Sequence, residues 1–125
     1  MKNIITSADA PAAIGPYSHA VLAGNILFTS GQIPLVPETG KLAEGCIACQ
    51  TRQVFSNLKA VLSAAGMDFT NVVKANVFMT DLADFSKFNE VYAGFFPVDP
   101  PARSCVQVSA LPAGASIEIE LVAVK

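Results

Sequence analysis

Charged side chains are scarce in this sequence, and that scarcity limits how the chain can fold. Asp, Glu, Lys and Arg make up 14% of the 125 residues, against about 25% in an average soluble protein. A folded monomer of 13.0 kDa would expose roughly 6,300 Å² of surface, which these charges would cover thinly. The chain therefore either enters a membrane or buries part of its surface against further copies of itself.

The longest uncharged segment does not have the pattern of a membrane-spanning helix. It runs from Ala10 to Pro37, but prolines, glycines and polar side chains interrupt it throughout. It contains no run of about 18 apolar residues, which a spanning helix requires. The N-terminal segment lacks the apolar stretch of a secretory signal. We therefore expect a cytoplasmic protein that does not enter a membrane and that associates with itself.

Length and apolar content predict one folded domain over residues 1–125. Hydrophobic residues make up 52% of the chain, which is enough for a core, and no linker or low-complexity tract divides it. The net charge is −2 and the basic residues are scattered singly. Nucleic-acid-binding proteins usually carry a basic stripe and a pI above about 9, so a nucleic-acid partner is not expected.

The pattern of apolar residues predicts an α+β fold in the order β-ββ-α-β-α-ββ. Strands are expected at 3–6, 18–22, 25–30, 72–80, 103–108 and 117–124, and helices at 46–65 and from Asp81 or Asp84 to 95. The segment 31–45 is interpreted as a loop because prolines and glycines interrupt it. We expect a mixed sheet with hairpins at both ends and both helices on one face. The other face would then need a partner.

Three cysteines and one histidine raise the question of a metal or redox site. Cys46 and Cys49 form a C-x-x-C pair, but a loop rather than a strand is expected before it, and a redox pair favours a strand there. A zinc site would need Cys105 and His19 from distant segments as well. The pair is therefore interpreted as small apolar residues at the start of a helix, His19 as a surface residue, and no metal site is predicted.

The last two predicted strands hold the charged residues best suited to chemistry, namely Arg103, Glu118 and Glu120. Alternation places both glutamates on one face of the final strand. If the two strands pair as a hairpin, Arg103 and a glutamate can share a face. A guanidinium suits a substrate carboxylate, and a partly buried glutamate can exchange protons near neutral pH. An ion pair at a subunit interface explains the same residues, so both interpretations stay open.

Four motifs, in this order along the chain, resemble the RidA/YjgF family of enamine and imine deaminases. They are IGPYS at 14–18, SGQIP at 30–34, PARSCV at 101–106 and IEI at 117–119. The resemblance covers nearly the whole chain, and the arginine motif with its spacing to IEI is the most specific part. It implies a chorismate-mutase-like fold, with a six-stranded mixed sheet and two helices on one face. It also implies a homotrimer whose sheets form a central barrel, with three active sites in clefts between subunits.

The resemblance also implies a reaction and a set of site residues. The reaction is hydrolysis of 2-aminoacrylate or 2-iminopropanoate to a 2-oxo acid and ammonia, and it needs no cofactor. Arg103 would hold the substrate carboxylate, and Glu118 would position the attacking water and handle its proton. Glu120 would have a structural role. The pocket would be lined by Tyr17, Ser30, Gly31 and Asn89, with backbone groups from Cys105.

Two other functions remain open at this stage. The first is a regulatory trimer that binds a small carboxylate in the same cleft without turning it over. The second is an RNA-acting translation inhibitor, which the acidic composition argues against.

The chain departs from the family pattern at Cys46 and Cys49, which belong to none of its motifs, and in a short connector at 96–100. The connector puts the shape of the pocket rim in question.

Overall fold

The computed structural model describes the whole chain, Met1–Lys125, as a mixed β-sheet with two helices against one of its faces. The helices are α1 (Ile47–Ala64) and α2 (Phe85–Phe95). The strands are β1 (Lys2–Ile5), β2 (Ala20–Ala23), β3 (Ile26–Thr29), β4 (Leu35–Val36), β5 (Lys41–Leu42), β6 (Val72–Met79), β7 (Ala102–Gln107) and β8 (Ile117–Val124). The predicted α+β class and the order of the six main strands and the two helices are confirmed.

Six strands form the main sheet in the order β1-β2-β3-β8-β6-β7. Helix α2 connects β6 to β7 and returns the chain parallel to β6, whereas every other pair in this sheet is antiparallel. Strand β6 therefore lies between β7 and β8. The prediction of a hairpin between the last two strands is wrong, because the crossover through α2 places β7 at the sheet edge and β6 separates it from β8. Strand β8 takes the central position and alternates buried with half-buried residues along its whole length.

The hydrophobic core lies between the helices and one face of the sheet. Helix α1 contributes Val54, Phe55 and Leu58, which are fully buried against strand residues such as Val77 and Ile119. Burial of a side chain of this size contributes about 1.5–3 kcal/mol. The apolar stripe predicted for α1 is thus its core face, and both helices cover the same side of the sheet as expected.

The opposite face of the sheet has no helix over it. Its exposed side chains include Phe28, which is 49% exposed, and Val106, which is 47% exposed. Strand register places Phe28 beside Val122 and Val21, and Val21 beside Ile4, so an apolar row crosses four strands of this face. Soluble monomers rarely leave such a row uncovered. None of the helices combines the length and apolarity that a membrane crossing requires.

Two local features differ from the sequence-based expectations. The segment 31–45 is not only loop, because β4 and β5 form a small separate hairpin within it. Gly40 in the turn of this hairpin has a φ of +69°, which favours glycine.

The Asp81 side chain accepts a hydrogen bond from the Ala83 N–H and caps a short 3-10 turn, Leu82–Asp84. Asp84 is the residue directly before α2, and its side chain makes no capping hydrogen bond.

Candidate functional site

A cavity of about 380 Å³ opens beside Glu118. Three of the predicted pocket residues, Tyr17, Ser30 and Gly31, line it together with Glu118 and Glu120. Its volume falls within the roughly 300–1,000 Å³ that is typical of small-molecule sites. The structure therefore brings four of the seven predicted site residues to one cavity, and Glu120 lies with them.

An irregularity between β3 and β8 creates this cavity. The regular pairing ends at Phe28 and Val122, and the strands meet again where Gln32 and Ile119 exchange backbone hydrogen bonds of 2.8 and 3.1 Å. Three residues on one side, 29–31, therefore stand opposite two on the other, 120–121. This arrangement is a β-bulge, and bulges are frequent beside active sites. The extra residue moves the chain away from β8 and leaves room next to Glu118.

Gly31 allows the backbone to approach the Glu118 side chain closely. A Cβ atom at position 31 would lie 2.7 Å from the Glu118 carboxyl carbon and 3.0 Å from one carboxyl oxygen, Oε2. Real Cβ atoms do not approach other atoms so closely, so only glycine fits there without moving the carboxylate. Gly31 therefore leaves the space that the Glu118 carboxyl occupies, which is a more specific role than lining the pocket.

The environment of Glu118 favours its neutral form. Burial of the carboxyl raises the pKa of Glu118, and the nearby negative charge of Glu120 raises it further. A carboxyl group with a raised pKa exchanges protons more readily near neutral pH. Glu118 is thus suited to proton transfer in the cavity, and Glu120 contributes to that property through its charge.

The loop that carries Tyr17 is held in place by a buried histidine. His19 accepts a hydrogen bond from the Ser7 N–H at Nδ1 (3.0 Å), and its Nε2 lies 2.8 Å from the Pro11 carbonyl oxygen. Its 6% exposure contradicts the expectation of a surface residue. The Ser30 hydroxyl donates to the Ser18 carbonyl at 2.6 Å, which ties the loop to the segment after β3. His19 and Ser30 are therefore structural supports of the cavity wall.

Asn57 supports the cavity from helix α1. Its side-chain nitrogen Nδ2 donates to the carbonyl oxygens of Ile33 (3.2 Å) and Leu35 (2.9 Å), both of which line the cavity. Its side-chain oxygen accepts a hydrogen bond from Gln53. Asn57 is a polar residue of α1, yet it is only 1% exposed. A buried polar residue needs partners, and here the partners are carbonyl groups of the loop, which the sequence does not reveal.

Arg103 lies in a second cluster, formed with helix α2. Its Nη1 donates to the Asn89 side-chain oxygen at 2.8 Å. The guanidinium carbon lies 4.7 Å from the ring centre of Tyr92, 5.4 Å from that of Phe85 and 5.5 Å from that of Phe88, so the rings stabilise the cation. The only salt bridge in the chain joins Lys87 and Glu90. Arg103 therefore has no carboxylate partner within the chain.

The positive charge of Arg103 affects the pKa of two neighbouring groups, the Tyr92 hydroxyl and the Cys105 thiol. Burial raises the pKa of the Tyr92 hydroxyl and of the Cys105 thiol, and the positive charge of Arg103 partly offsets that effect in both. The Tyr92 hydroxyl is buried without a hydrogen-bond partner. The Cys105 thiol makes a contact of 3.8 Å with the sulfur of Met79. Cys105 is thus half-buried beneath the sheet rather than at the cavity.

Arg103 and Glu118 lie on opposite faces of the sheet. Arg103 is paired with Ala75, which is buried beneath the helices, and Glu118 is paired with Phe78. Ala75 and Phe78 are three residues apart on one strand, and alternation sends them to different faces. The expectation that Arg103 and a glutamate share a face is therefore wrong within one chain. The prediction fails because β6 lies between β7, which carries Arg103, and β8, which carries Glu118.

The cysteines and His19 do not form a metal site. No group of three or more His, Cys, Asp or Glu side chains comes together as a metal centre requires. Cys46 and Cys49 are both exposed, which contradicts their interpretation as apolar filling at the start of α1.

Comparison with known proteins agrees with the motifs and the fold. The family model described as Endoribonuclease L-PSP matches residues 7–125. The chain belongs to this family, which is also called RidA/YjgF. A human protein named 2-iminobutanoate/2-iminopropanoate deaminase is 46% identical over 125 residues, which span 100% of this chain and 91% of the human protein. The resemblance read from the four motifs is thereby confirmed.

Solved structures of RidA/YjgF relatives have the same fold. The YjgF gene product of Escherichia coli superposes with a TM-score of 0.94 and is 45% identical, with 98% of each chain covered. The E. coli protein TdcF, solved with bound serine, gives the same TM-score, identity and coverage. At these identities the likeness covers the whole domain, including the segments that carry Glu118 and Arg103. The expected fold family is confirmed.

Proposed function

We propose that this RidA/YjgF protein hydrolyses reactive 2-aminoacrylate and 2-iminopropanoate compounds to a 2-oxo acid and ammonia. The observation that carries the proposal is Glu118, a carboxyl group with a raised pKa in a cavity of small-molecule size. The name of the human relative, a 2-iminobutanoate/2-iminopropanoate deaminase, supports the same reaction. The serine bound by the relative TdcF supports a ligand that carries a carboxylate.

The active site is completed by a second copy of the chain. Glu118 and its cavity lie on the open face of the sheet, whereas Arg103 lies at the edge strand β7 on the other face. One chain cannot direct both at the same small molecule. A homotrimer would cover the exposed apolar row that includes Phe28 and would bring the β7 edge of each subunit against its neighbour. Arg103 of the partner subunit then faces the Glu118 cavity.

Arg103 binds the carboxylate of the substrate. Its guanidinium has no acidic partner in the chain, and Asn89 occupies only one of its nitrogens. The remaining N–H groups can donate two parallel hydrogen bonds to a carboxylate. The surrounding rings of Phe85, Phe88 and Tyr92 limit its movement. A fixed guanidinium lowers the entropic barrier to placing the imine carbon beside the attacking water.

Glu118 acts first as the general base and then as the general acid of the reaction. The enamine 2-aminoacrylate first takes a proton from solvent at its terminal carbon to give the iminium form of the imine. As the ionised carboxylate, Glu118 removes a proton from water while the water oxygen bonds to the imine carbon, which yields a carbinolamine. The protonated Glu118 then returns the proton to nitrogen, and the C–N bond breaks as the carbinolamine hydroxyl gives its proton back to Glu118. Ammonia and the 2-oxo acid are released. A raised pKa suits a group that must act in both directions.

The pocket is lined beside Glu118 by Tyr17, Ser30 and Gly31. Asn89 and the backbone at Cys105 belong to the Arg103 cluster and reach the pocket with the partner subunit's Arg103. Tyr17 is 46% exposed at the cavity rim, so its ring is accessible to a substrate side chain. Gly31 holds the backbone close to the Glu118 carboxyl. Asn89 orients the guanidinium through its 2.8 Å hydrogen bond. The chemistry consists of binding, water activation and proton transfer, all of which these side chains can supply.

A coupled assay tests the proposed reaction. A serine or threonine dehydratase generates the enamine in situ, and the release of ammonia and 2-oxo acid is followed with and without this protein. We expect clear acceleration over the dehydratase alone. Arg103→Ala should lower kcat/KM by about 10- to 150-fold, because it removes a charge-assisted bidentate contact of about 1.5–3 kcal/mol.

Lys87→Ala provides the matched control for this assay. Lys87 is also a cation of the α2 region, but its side chain is 69% exposed and pairs only with Glu90, so its loss should leave the rate unchanged. No acceleration by the wild-type protein, or full activity in Arg103→Ala, would contradict the proposed reaction. Binding of a 2-oxo acid without any acceleration would instead indicate the non-catalytic carboxylate-binding function.

A further inference from the structure

The pair Cys46 and Cys49 lies at the start of helix α1, outside the proposed deaminase site. Cys46 is the residue that precedes the first helical turn, and Cys49 lies within that turn. Both thiols are exposed, and neither belongs to the core or to the cavity beside Glu118. The proposed deaminase reaction uses neither of them. Their arrangement therefore needs its own explanation.

The two sulfur atoms are already in contact. The Sγ atoms of Cys46 and Cys49 lie 3.5 Å apart, so a disulfide bond of about 2.05 Å would require them to approach by about 1.5 Å. Gly45 lets the chain turn just before the pair, since its φ is +104°. A Cβ at Gly45 would lie 3.4 Å from the Cys49 sulfur, which is an ordinary van der Waals distance, so the positive φ rather than a lack of space favours glycine there.

The N-terminal end of helix α1 favours the thiolate form of Cys46. The backbone N–H of Cys49, the Cys49 thiol and the backbone N–H of Ala48 together lower the pKa of Cys46. No acidic residue lies in the first turn of α1 to oppose this effect. The first N–H groups of a helix carry partial positive charge and stabilise a thiolate placed beside them. Cys46 is therefore suited to attack, and Cys49 is close enough to react next.

We propose that Cys46 and Cys49 form a thiol–disulfide exchange site that reacts with small-molecule disulfides. The ligand class is a disulfide of two low-molecular-weight thiols, and the product on the protein is an intramolecular Cys46–Cys49 disulfide. Two features carry the proposal: the contact between two exposed sulfurs, and the position of Cys46 at the start of an 18-residue helix. The site is independent of the proposed deaminase reaction.

The exchange proceeds in two balanced steps. The Cys46 thiolate attacks one sulfur of the small disulfide, a mixed disulfide forms at Cys46, and one small thiolate leaves. The Cys49 thiol gives its proton to solvent and attacks the Cys46 sulfur, so that the Cys46–Cys49 bond forms and the second small thiolate leaves. The pair loses two electrons, and the small disulfide is reduced to two thiols. Excess small thiol reverses both steps.

Cys105 serves as an internal reference for the experiment. It is half-buried, and burial raises the pKa of its thiol, so it should remain reduced. The full-length protein is equilibrated in a series of reduced and oxidised glutathione mixtures, quenched with acid, alkylated and analysed by peptide mass spectrometry. We expect both thiols of the pair to be lost together as one intramolecular disulfide, and Cys105 to be alkylated throughout.

Serine variants separate the two roles. Cys49→Ser should stop at the first step and accumulate glutathione on Cys46. In Cys46→Ser, the remaining Cys49 should react with oxidised glutathione several-fold more slowly. Mixed disulfides in the wild-type protein without the intramolecular bond, disulfides between chains, or equal reactivity of the two serine variants would each overturn the proposal. Protein unfolded in urea provides the control that the reagents oxidise these thiols at all.

Discussion

Gly31 and Glu118 are in such close contact that a methyl group on Gly31 would lie 2.7 Å from the Glu118 carboxyl carbon. The bulge between β3 and β8 brings the two residues together, because Thr29, Ser30 and Gly31 stand opposite only two residues of β8. The absence of a side chain at position 31 thus allows the Glu118 carboxyl group to lie at this position. The bulge and the glycine together leave the space that the proposed proton-transfer group occupies.

Gly31→Ala should reduce deaminase activity while leaving the fold intact. The new methyl group displaces the Glu118 carboxyl, and a shift of about 1 Å in a catalytic group can lower the rate by about 100-fold. Gly94→Ala is the matched control, because a Cβ at Gly94 meets nothing within 4 Å and alanine is favoured within a helix. Steady-state kinetics of both variants, with circular dichroism to verify folding, provide the measurement. Equal activity of the two would contradict this role of Gly31.

Glu120→Gln should move the acidic limb of the pH–rate profile to lower pH. The negative charge of Glu120 is the second cause, after burial, of the raised pKa of Glu118. Without that charge Glu118 ionises more easily, so the carboxylate that activates water persists to more acidic conditions. The profile of kcat/KM for wild type and variant measures the shift. An unchanged acidic limb would show that Glu118 does not titrate in this step, or that Glu120 does not influence it.

Glu118→Gln should stabilise the folded protein, and increasingly so as the pH rises. Burial raises the pKa of Glu118 in the folded state, so ionisation there is less favourable than in the unfolded chain. Below the ordinary Glu pKa both states are protonated, and the isosteric amide changes little. Above the raised pKa the charged carboxylate destabilises the fold and Gln does not. The difference in Tm between variant and wild type should therefore increase as the pH rises above the ordinary Glu pKa of about 4.3 and level off above the raised pKa.

Glu90→Gln is the control for that measurement, since the Glu90 side chain is 71% exposed on the surface of α2. Its difference in Tm should not grow over the same pH range. A stabilising effect of Glu118→Gln that is independent of pH would indicate better packing rather than relief of a buried charge.

Asn57→Ala should lower the free energy of unfolding by about 2–4 kcal/mol, since it leaves two buried carbonyl groups unpaired and creates a small cavity. Those carbonyls belong to Ile33 and Leu35 in the cavity wall, so activity should fall as well. Gln53→Ala removes only the neighbouring donor to Asn57 and should cost about 0.5–1.5 kcal/mol. Urea unfolding at one protein concentration compares the two. Equal losses would mean that Asn57 does not support the wall.

The long elements of this fold are predictable from the sequence because their signals are local. Strand β8 spans Ile117–Val124 as its alternation predicts, and α1 begins and ends within one residue of the expected range. The hairpin of β4 and β5 was not predicted, since two-residue strands carry no periodic pattern. Prolines and glycines in that segment indicate only irregular backbone.

The candidate site is predictable in part, for a different reason. The motifs identify Tyr17, Ser30, Gly31 and Glu118, which the structure brings to one cavity. The motifs do not show that Arg103 lies on the other face, because that depends on which strands become neighbours. Strand order follows from the crossover through α2, a non-local property. The roles of His19 and Asn57 were missed because their partners are backbone carbonyl and N–H groups, which have no sequence signature.

The central claim is that each active site combines Glu118 of one copy with Arg103 of the partner subunit. Arg103→Ala and Glu118→Gln proteins, each strongly impaired alone, can be unfolded together, refolded as mixed trimers and assayed for deamination. In a ring of three, random mixing restores an intact site at about one interface in four, so activity should recover to about a quarter of the wild-type value. Mixed trimers, verified by native mass spectrometry, that show no recovery would contradict the claim.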